Sequence, residues 1–143
     1  CGVHSDFTDF YNSSEGTWYC EGVPRSLVNG RYLTVRDATT NNRVIVYEQN
    51  GLSRFFVPKD DVTQTFLSNN SSSINNLNRI AASYKLNNFL TSANGTQFEL
   101  PDTSGTPPTS VNRMNVGSNE LGLLQLNGHI KRLIYWPYHS DNL

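Results

Sequence analysis

The sequence predicts an all-β fold, antiparallel strands layered as a sandwich or barrel, and three observations carry that prediction. Short segments rich in β-branched and aromatic residues recur along the chain, each bounded by Gly, Asn, Asp, Pro or Ser. Asn-Gly pairs at Asn50-Gly51, Asn94-Gly95 and Asn127-Gly128 mark hairpin corners, because both residues tolerate the left-handed backbone of a type I′ turn. Polarity comes from Asn, Ser and Thr, with charged residues only 16% of the chain, which is the composition of turn-rich β proteins.

In chain order the expected strands are 16–22, 31–37, 43–49, 53–58, 63–68, 78–85, 88–93, 111–117 and 129–136. Asn41-Asn42 and Asn87-Asn88 serve as weaker turns between neighbours. Alternation is clear where Leu33 and Val35 oppose Thr34 and Arg36, and where Val44 and Val46 oppose Arg43 and Ile45. It breaks down in the last strand. There Ile130, Ile134 and Trp136 share one parity while Leu133 and Tyr135 take the other, so this strand is either covered on both sides or presents a contact surface. Ile130, Leu133 and Ile134 are expected to line the core, with Lys131 and Arg132 on a solvated or subunit-facing edge. Residues 69–76 and 101–110 read as loops, since Pro107-Pro108 cannot join a ladder. No segment has the length and period of a helix.

A chain of 143 residues reads as a single domain over 1–143, long enough to bury a core without staples. Net charge is −1, so no overall field draws it to nucleic acid, and Lys131-Arg132 and Arg54 are too few for a basic stripe. No apolar run approaches the ~18 residues of a membrane-crossing helix, so no membrane insertion is expected. A Cys1–Cys20 bridge is geometrically possible; free thiols are the expectation, with Cys20 a small buried hydrophobe.

Chemistry-bearing motifs are sparse. Sandwich glycosidases need paired carboxylates flanking one glycosidic oxygen, yet Glu21 stands alone on its strand, Asp60-Asp61 falls in a turn, and Glu99 precedes a Pro-rich loop. His4, His129 and His139 have no Cys, Asp or Glu at metal-ligand spacing, and no serine sits in G-x-S-x-G. These readings predict a protein that is not an enzyme. No cofactor is expected, with a loop Ca2+ at Asp37, Asp60, Asp61 or Asp102 left open, because such sites assemble without a linear motif.

Aromatic side chains can stack on sugar rings while neighbouring amides bond the hydroxyls. Trp18, Tyr47, Tyr135, Trp136 and Tyr138 are the candidate ligand-binding residues, and Tyr32 qualifies by type. Against this stands the ordinary fate of strand aromatics, which is burial in the core. Tyr138, beyond the last strand and next to Pro137, is expected to be exposed.

The ordered set "SEGTWYCEG" (14–22), "NNRVIVYEQNG" (41–51), "NRIAASYKLNNFLTSANGT" (78–96), "VNRMNVGS" (111–118) and "QLNGHIKRLIYWP" (125–137) resembles the concanavalin A-like, laminin G-like module of bacteriophage virion proteins such as tail fibres. The resemblance covers about residues 14 to 143 and implies a jelly-roll β-sandwich near the C-terminal end of a longer virion protein, with 1–13 an incomplete lead-in. It implies that the closing strand pairs with the N-terminal region of the domain. It also implies a location on the phage particle surface after synthesis in the host cytoplasm. The expected partners are other virion proteins, further copies of the chain (a trimer among the closed forms) and host-surface polysaccharide. No catalytic motif is common to the family. Two functions follow: attachment to host glycan, or a purely structural fibre-tip or capsid-decoration role.

Overall fold

In a computed structural model, which describes residues 7–26, 28–69, 73–97 and 99–143, the chain folds as two packed antiparallel sheets. The strands are β1 (Glu15–Pro24), β2 (Gly30–Arg36), β3 (Arg43–Gln49), β4 (Leu52–Lys59), β5 (Val62–Asn69), β6 (Asn78–Lys85), β7 (Asn88–Ala93), β8 (Arg113–Val116) and β9 (Gly128–Trp136). Each lies where a strand was expected. One sheet has the order β7-β6-β1-β9 and the other β5-β4-β3-β2-β8. The last strand pairs with the first, and this is the jelly-roll arrangement of the concanavalin A-like fold. Cys1, and with it the geometrically possible Cys1–Cys20 bridge, lies outside the described residues; Cys20 is a buried free thiol, its pKa pushed above the usual range by burial.

Alternation places the core. From the four-stranded sheet, Trp18, Cys20, Ile80, Tyr84 and Phe89 face inward, and they meet Leu33, Val35, Val44, Val46, Phe55 and Val57 from the five-stranded sheet. A single helical turn, α1 (Phe7–Phe10), precedes β1 and buries Phe7 against Tyr11, with ring centroids 4.8 Å apart. Tyr11 in turn stacks on Tyr135 at 5.3 Å, and Tyr135 lies 4.5 Å from Trp18, so an aromatic column closes this end of the sandwich. Glu48 is an unexpected member of the inward row of β3: its Oε1 accepts hydrogen bonds from the Tyr32 and Ser53 hydroxyls at 3.2 and 3.3 Å.

The broken alternation of the closing strand has a simple cause. Opposite Glu21 and Gly22 the register of β9 skips Lys131, so Arg132 pairs with Glu21 and Ile130 with Gly22. That extra residue is a β-bulge, and it returns Ile130 to the face that Leu133 and Tyr135 occupy. Ile130 and Leu133 are only partly buried against the core. Ile134, expected in the core, pairs with Tyr19 on the outer face instead. A similar bulge at Tyr32 lets Tyr32 and Leu33 both point inward while Arg31 points out.

Corner chemistry holds in part. Asn50 and Gly51 both have positive φ, as do Asn94 and Gly95, which fits type I′ corners. Asp60 and Asp61 form a third such corner between β4 and β5, with φ of 50° and 62°. Asn127-Gly128 is not a hairpin: Asn127 has positive φ, but Gly128 is the first residue of β9 and lies opposite Pro24.

Candidate functional site

The outer face of the four-stranded sheet carries a cleft of about 490 Å³. Its floor follows from strand register. Ser92, Ala81, Tyr19 and Ile134 form one outward row across β7, β6, β1 and β9, and Ser83, Thr17 and Trp136 form the next. Small side chains at Ala81, Ser92 and Thr17 leave a depression, while Tyr19 and Trp136 rise as walls.

Residues 137–143 fold back over the sheet and complete the rim. The Thr17 hydroxyl donates to the Tyr138 carbonyl at 2.8 Å, and the Ser140 amide donates to the Thr17 and Ser83 hydroxyls at 3.1 and 3.0 Å. The His139 amide donates to Glu15 Oε2 at 3.0 Å, and the Asn12 side-chain amide donates to the Pro137 carbonyl at 3.0 Å. These bonds hold Tyr138 on the rim with 55% of its surface exposed. The His139 ring beneath is buried; burial, and then Lys85, hold its imidazole below the ordinary range against the opposing pull of Asp141 and Glu15.

Tyr19 is oriented by charge. Its hydroxyl donates to Glu21 Oε1 at 2.6 Å, and Glu21 also meets Arg79 at 3.4 Å and Arg132 at 3.9 Å. The Tyr19 bond, with the two arginines, holds the Glu21 carboxyl below its usual range. Arg79 reaches the cleft with its guanidinium half exposed. The lining thus combines aromatic faces with hydroxyl, amide and guanidinium groups, and among the described residues no carboxylate side chain or histidine lines it. Such a surface can stack on a ring and bond its hydroxyls.

Of the five sequence-selected candidates, the structure brings Trp136 and Tyr138 together in this cleft. Trp18 and Tyr135 do not join them, because their parity on paired β1 and β9 turns both rings into the core. Tyr32 is likewise fully buried. Tyr47 sits on the other sheet, its ring covered by the Arg31 guanidinium at 4.1 Å. Tyr19, Arg79 and Ser92 escaped selection. They are outward neighbours of Trp136 only once the order β7-β6-β1-β9 is known, and that order has no local signature.

Of the candidate calcium ligands, Asp37 and the Asp60-Asp61 corner meet at Asn41-Asn42, where the Asn42 side chain donates to Asp37 Oδ2 at 2.9 Å and accepts the Asp60 amide at 3.0 Å. Asp37 takes hydrogen bonds from Thr39, Asn42 and Ser110, Asp60 and Asp61 form their own corner, and Asp102 bridges to Phe89. Among the described residues no three His, Cys, Asp or Glu side chains gather as a metal site.

No family model matches the sequence, and no curated protein matches it significantly. Solved structures do match the fold. The CBM40 module of the Ruminococcus gnavus IT-sialidase, bound to α2,3-sialyllactose, aligns with a TM-score of 0.74 at 16% identity over 91% of this chain and 79% of that one. Domains LG4-5 of the mouse laminin α1 chain align with a TM-score of 0.62 at 9% identity over 89% and 36%. Chicken galectin 2 aligns with a TM-score of 0.52 at 11% identity over 88% and 92%. At these identities the likeness establishes the concanavalin A-like lectin fold.

Proposed function

We propose that the chain is a noncatalytic carbohydrate-binding module that attaches a phage particle to host-surface glycan through the cleft on the four-stranded sheet. One observation carries the reading: Trp136 and Tyr138 stand with Tyr19 around a floor of small residues, Thr17, Ala81 and Ser92, and among the described residues no carboxylate side chain lines it. The sialyllactose held by the similar CBM40 module supports a saccharide as ligand. The sequence likeness to virion modules supports a place on the particle surface, after synthesis in the host cytoplasm. Isolated chain should bind at least one host polysaccharide on a glycan array, and Trp136→Ala should weaken that binding without unfolding the protein. Failure to bind any host polysaccharide at millimolar concentration removes this function.

A second reading, a purely structural fibre-tip or capsid-decoration module, draws support from a different place. Leu121 and Leu123, in the segment after β8, are 73% and 59% exposed, an apolar surface suited to other virion proteins or further copies of the chain, as in a trimer. It predicts a subunit contact of more than ~1,000 Å². A monomer by sedimentation equilibrium at high concentration counts against it, and a cryo-EM map of the virion tests the location that both readings share.

A further inference from the structure

The outer face of the five-stranded sheet gathers arginine. Arg31, Tyr47 and Arg54 stand side by side across β2, β3 and β4, and Arg36 faces Arg43 two rows away. The Arg31 guanidinium covers the Tyr47 ring at 4.1 Å, and that of Arg54 covers Phe66 at 5.0 Å. Against these four cations, Glu120 is the one carboxylate in ion-pair contact among the described residues, 3.4 Å from Arg43 Nη1. Arg36 finds neutral acceptors at Asn115 and at the backbone carbonyls of Asp37 and Glu120. A chain with net charge −1 and 11 basic residues therefore concentrates positive charge on one sheet face.

The charge is also under-satisfied. Buried Nε of Arg43 and Nε of Arg54 have no acceptor among the described residues. Burial, and then Arg43, hold the Arg31 guanidinium below its ordinary pKa against the opposing pull of Tyr47 and Glu120. Four partly desolvated arginines share one carboxylate, Glu120, and a further anion lowers the repulsion among them. Arginine held flat on an aromatic ring is preorganised to form a fork-shaped pair with a carboxylate. Neutral sugar would leave this charge unmet.

The geometry points to a second binding site, formed by Arg31, Arg43 and Arg54 around Tyr47 and Phe66, that takes the carboxylate-bearing sugars of an acidic polysaccharide. Adjacent strands are ~4.8 Å apart, so Arg31 and Arg54 span about 10 Å across the sheet, a spacing that suits successive units of a chain better than one small anion. The site lies on the sheet opposite the cleft and does not rest on the cleft's role.

Calorimetric titration of the full 143-residue chain with oligogalacturonate, neutral dextran oligomers and dextran sulfate tests the site. Oligogalacturonate should bind and neutral dextran should not bind at this face. Arg31→Gln with Arg54→Gln should weaken oligogalacturonate at least tenfold, and raising salt from about 50 to about 500 mM should do the same as screening sets in. Trp136→Ala, in the cleft, should leave this affinity unchanged, as should Lys59→Gln away from the arginine row. If the double variant fails to fold, Arg54→Gln alone, whose guanidinium rests on the Phe66 ring, should still weaken binding at least threefold. The inference is overturned by absence of oligogalacturonate binding at millimolar concentration, by full retention of affinity in a folded arginine variant, by loss on Trp136→Ala, or by equal binding of dextran sulfate, which marks unspecific attraction to polyanions.

Discussion

Tyr135 and Trp136 are consecutive residues on opposite faces of one strand, so substituting each should move a different observable. The Tyr135 hydroxyl accepts the Asn12 amide at 2.9 Å and lies 3.1 Å from the Tyr84 hydroxyl, which itself donates to the Asn12 carbonyl at 2.7 Å. Tyr135→Phe keeps the ring contacts with Trp18 and Tyr11 and removes only this oxygen, leaving a half-buried amide donor without its acceptor. Such a loss costs about 1–3 kcal/mol, and partial exposure of the site brings the expected value to about 1–2 kcal/mol. For a domain of this length that lowers Tm by roughly 3–8 °C. Urea unfolding followed by tryptophan fluorescence should resolve it, and Tyr135→Ala, which also deletes the ring, should cost about 3–5 kcal/mol. Trp136→Ala should behave oppositely, with a small change in stability and a roughly tenfold loss of glycan affinity, equivalent to ~1.4 kcal/mol. If Tyr135→Phe leaves the unfolding midpoint unchanged while weakening glycan binding, the assigned register of β9 is wrong.

Other expectations follow from the same packing. Ile130→Ala should cost about 1–2 kcal/mol in denaturant titration, less than the ~2–5 kcal/mol of a fully enclosed site, because this side chain is only partly buried. A Cβ at Gly16 would lie 2.6 Å from the Tyr135 hydroxyl and 2.7 Å from that of Tyr84, so Gly16→Ala should lower stability by about 1–3 kcal/mol in a thermal scan. Asp61→Gly should raise stability by about 0.5 kcal/mol, since φ of 62° suits Gly better than Asp and the hydrogen bond of this amide to the Asn41 carbonyl is kept. Acid should loosen the tail. With its folded-state pKa depressed, His139 contributes stability above the unfolded-state value of about 6.5 that is lost as pH falls toward the folded value. The protection factor of the Ser140 amide, its exchange rate corrected for the intrinsic pH dependence, should therefore fall on acidification below that point, and His139→Phe should abolish the effect.

Eight of the nine strands were legible because each carries β-branched and aromatic residues between turn formers, a signal contained in a few consecutive positions, and the segment 111–117 around β8 was legible by its valines alone. What failed depends on relations between distant positions. Asn127-Gly128 has the composition of a hairpin corner, but β9 pairs with β1, more than a hundred residues earlier, and its glycine serves close approach to the Val23 and Pro24 backbone. Parity in β9 was unreadable because a single bulged residue, Lys131, reverses it midway. The cleft was half legible: Trp136 and Tyr138 stand out by type, whereas Ala81 and Ser92 matter through smallness and acquire their role from sheet order. The arginines of the other sheet are scattered from 31 to 54 and become a cluster only when three strands are laid side by side.

Among the described residues no strand lies beyond β9, so half of its backbone amides and carbonyls face outward along a ribbon otherwise rich in Ile, Leu, Tyr and Trp. A bare margin of that composition would template a second molecule into a growing stack. Lys131 and Arg132, both exposed, put two like charges midway along it, and the kink at Lys131 bends the ribbon away from the straight geometry that stacking requires. The two basic residues that the sequence places on a solvated or subunit-facing edge thus guard that margin against the addition of another strand.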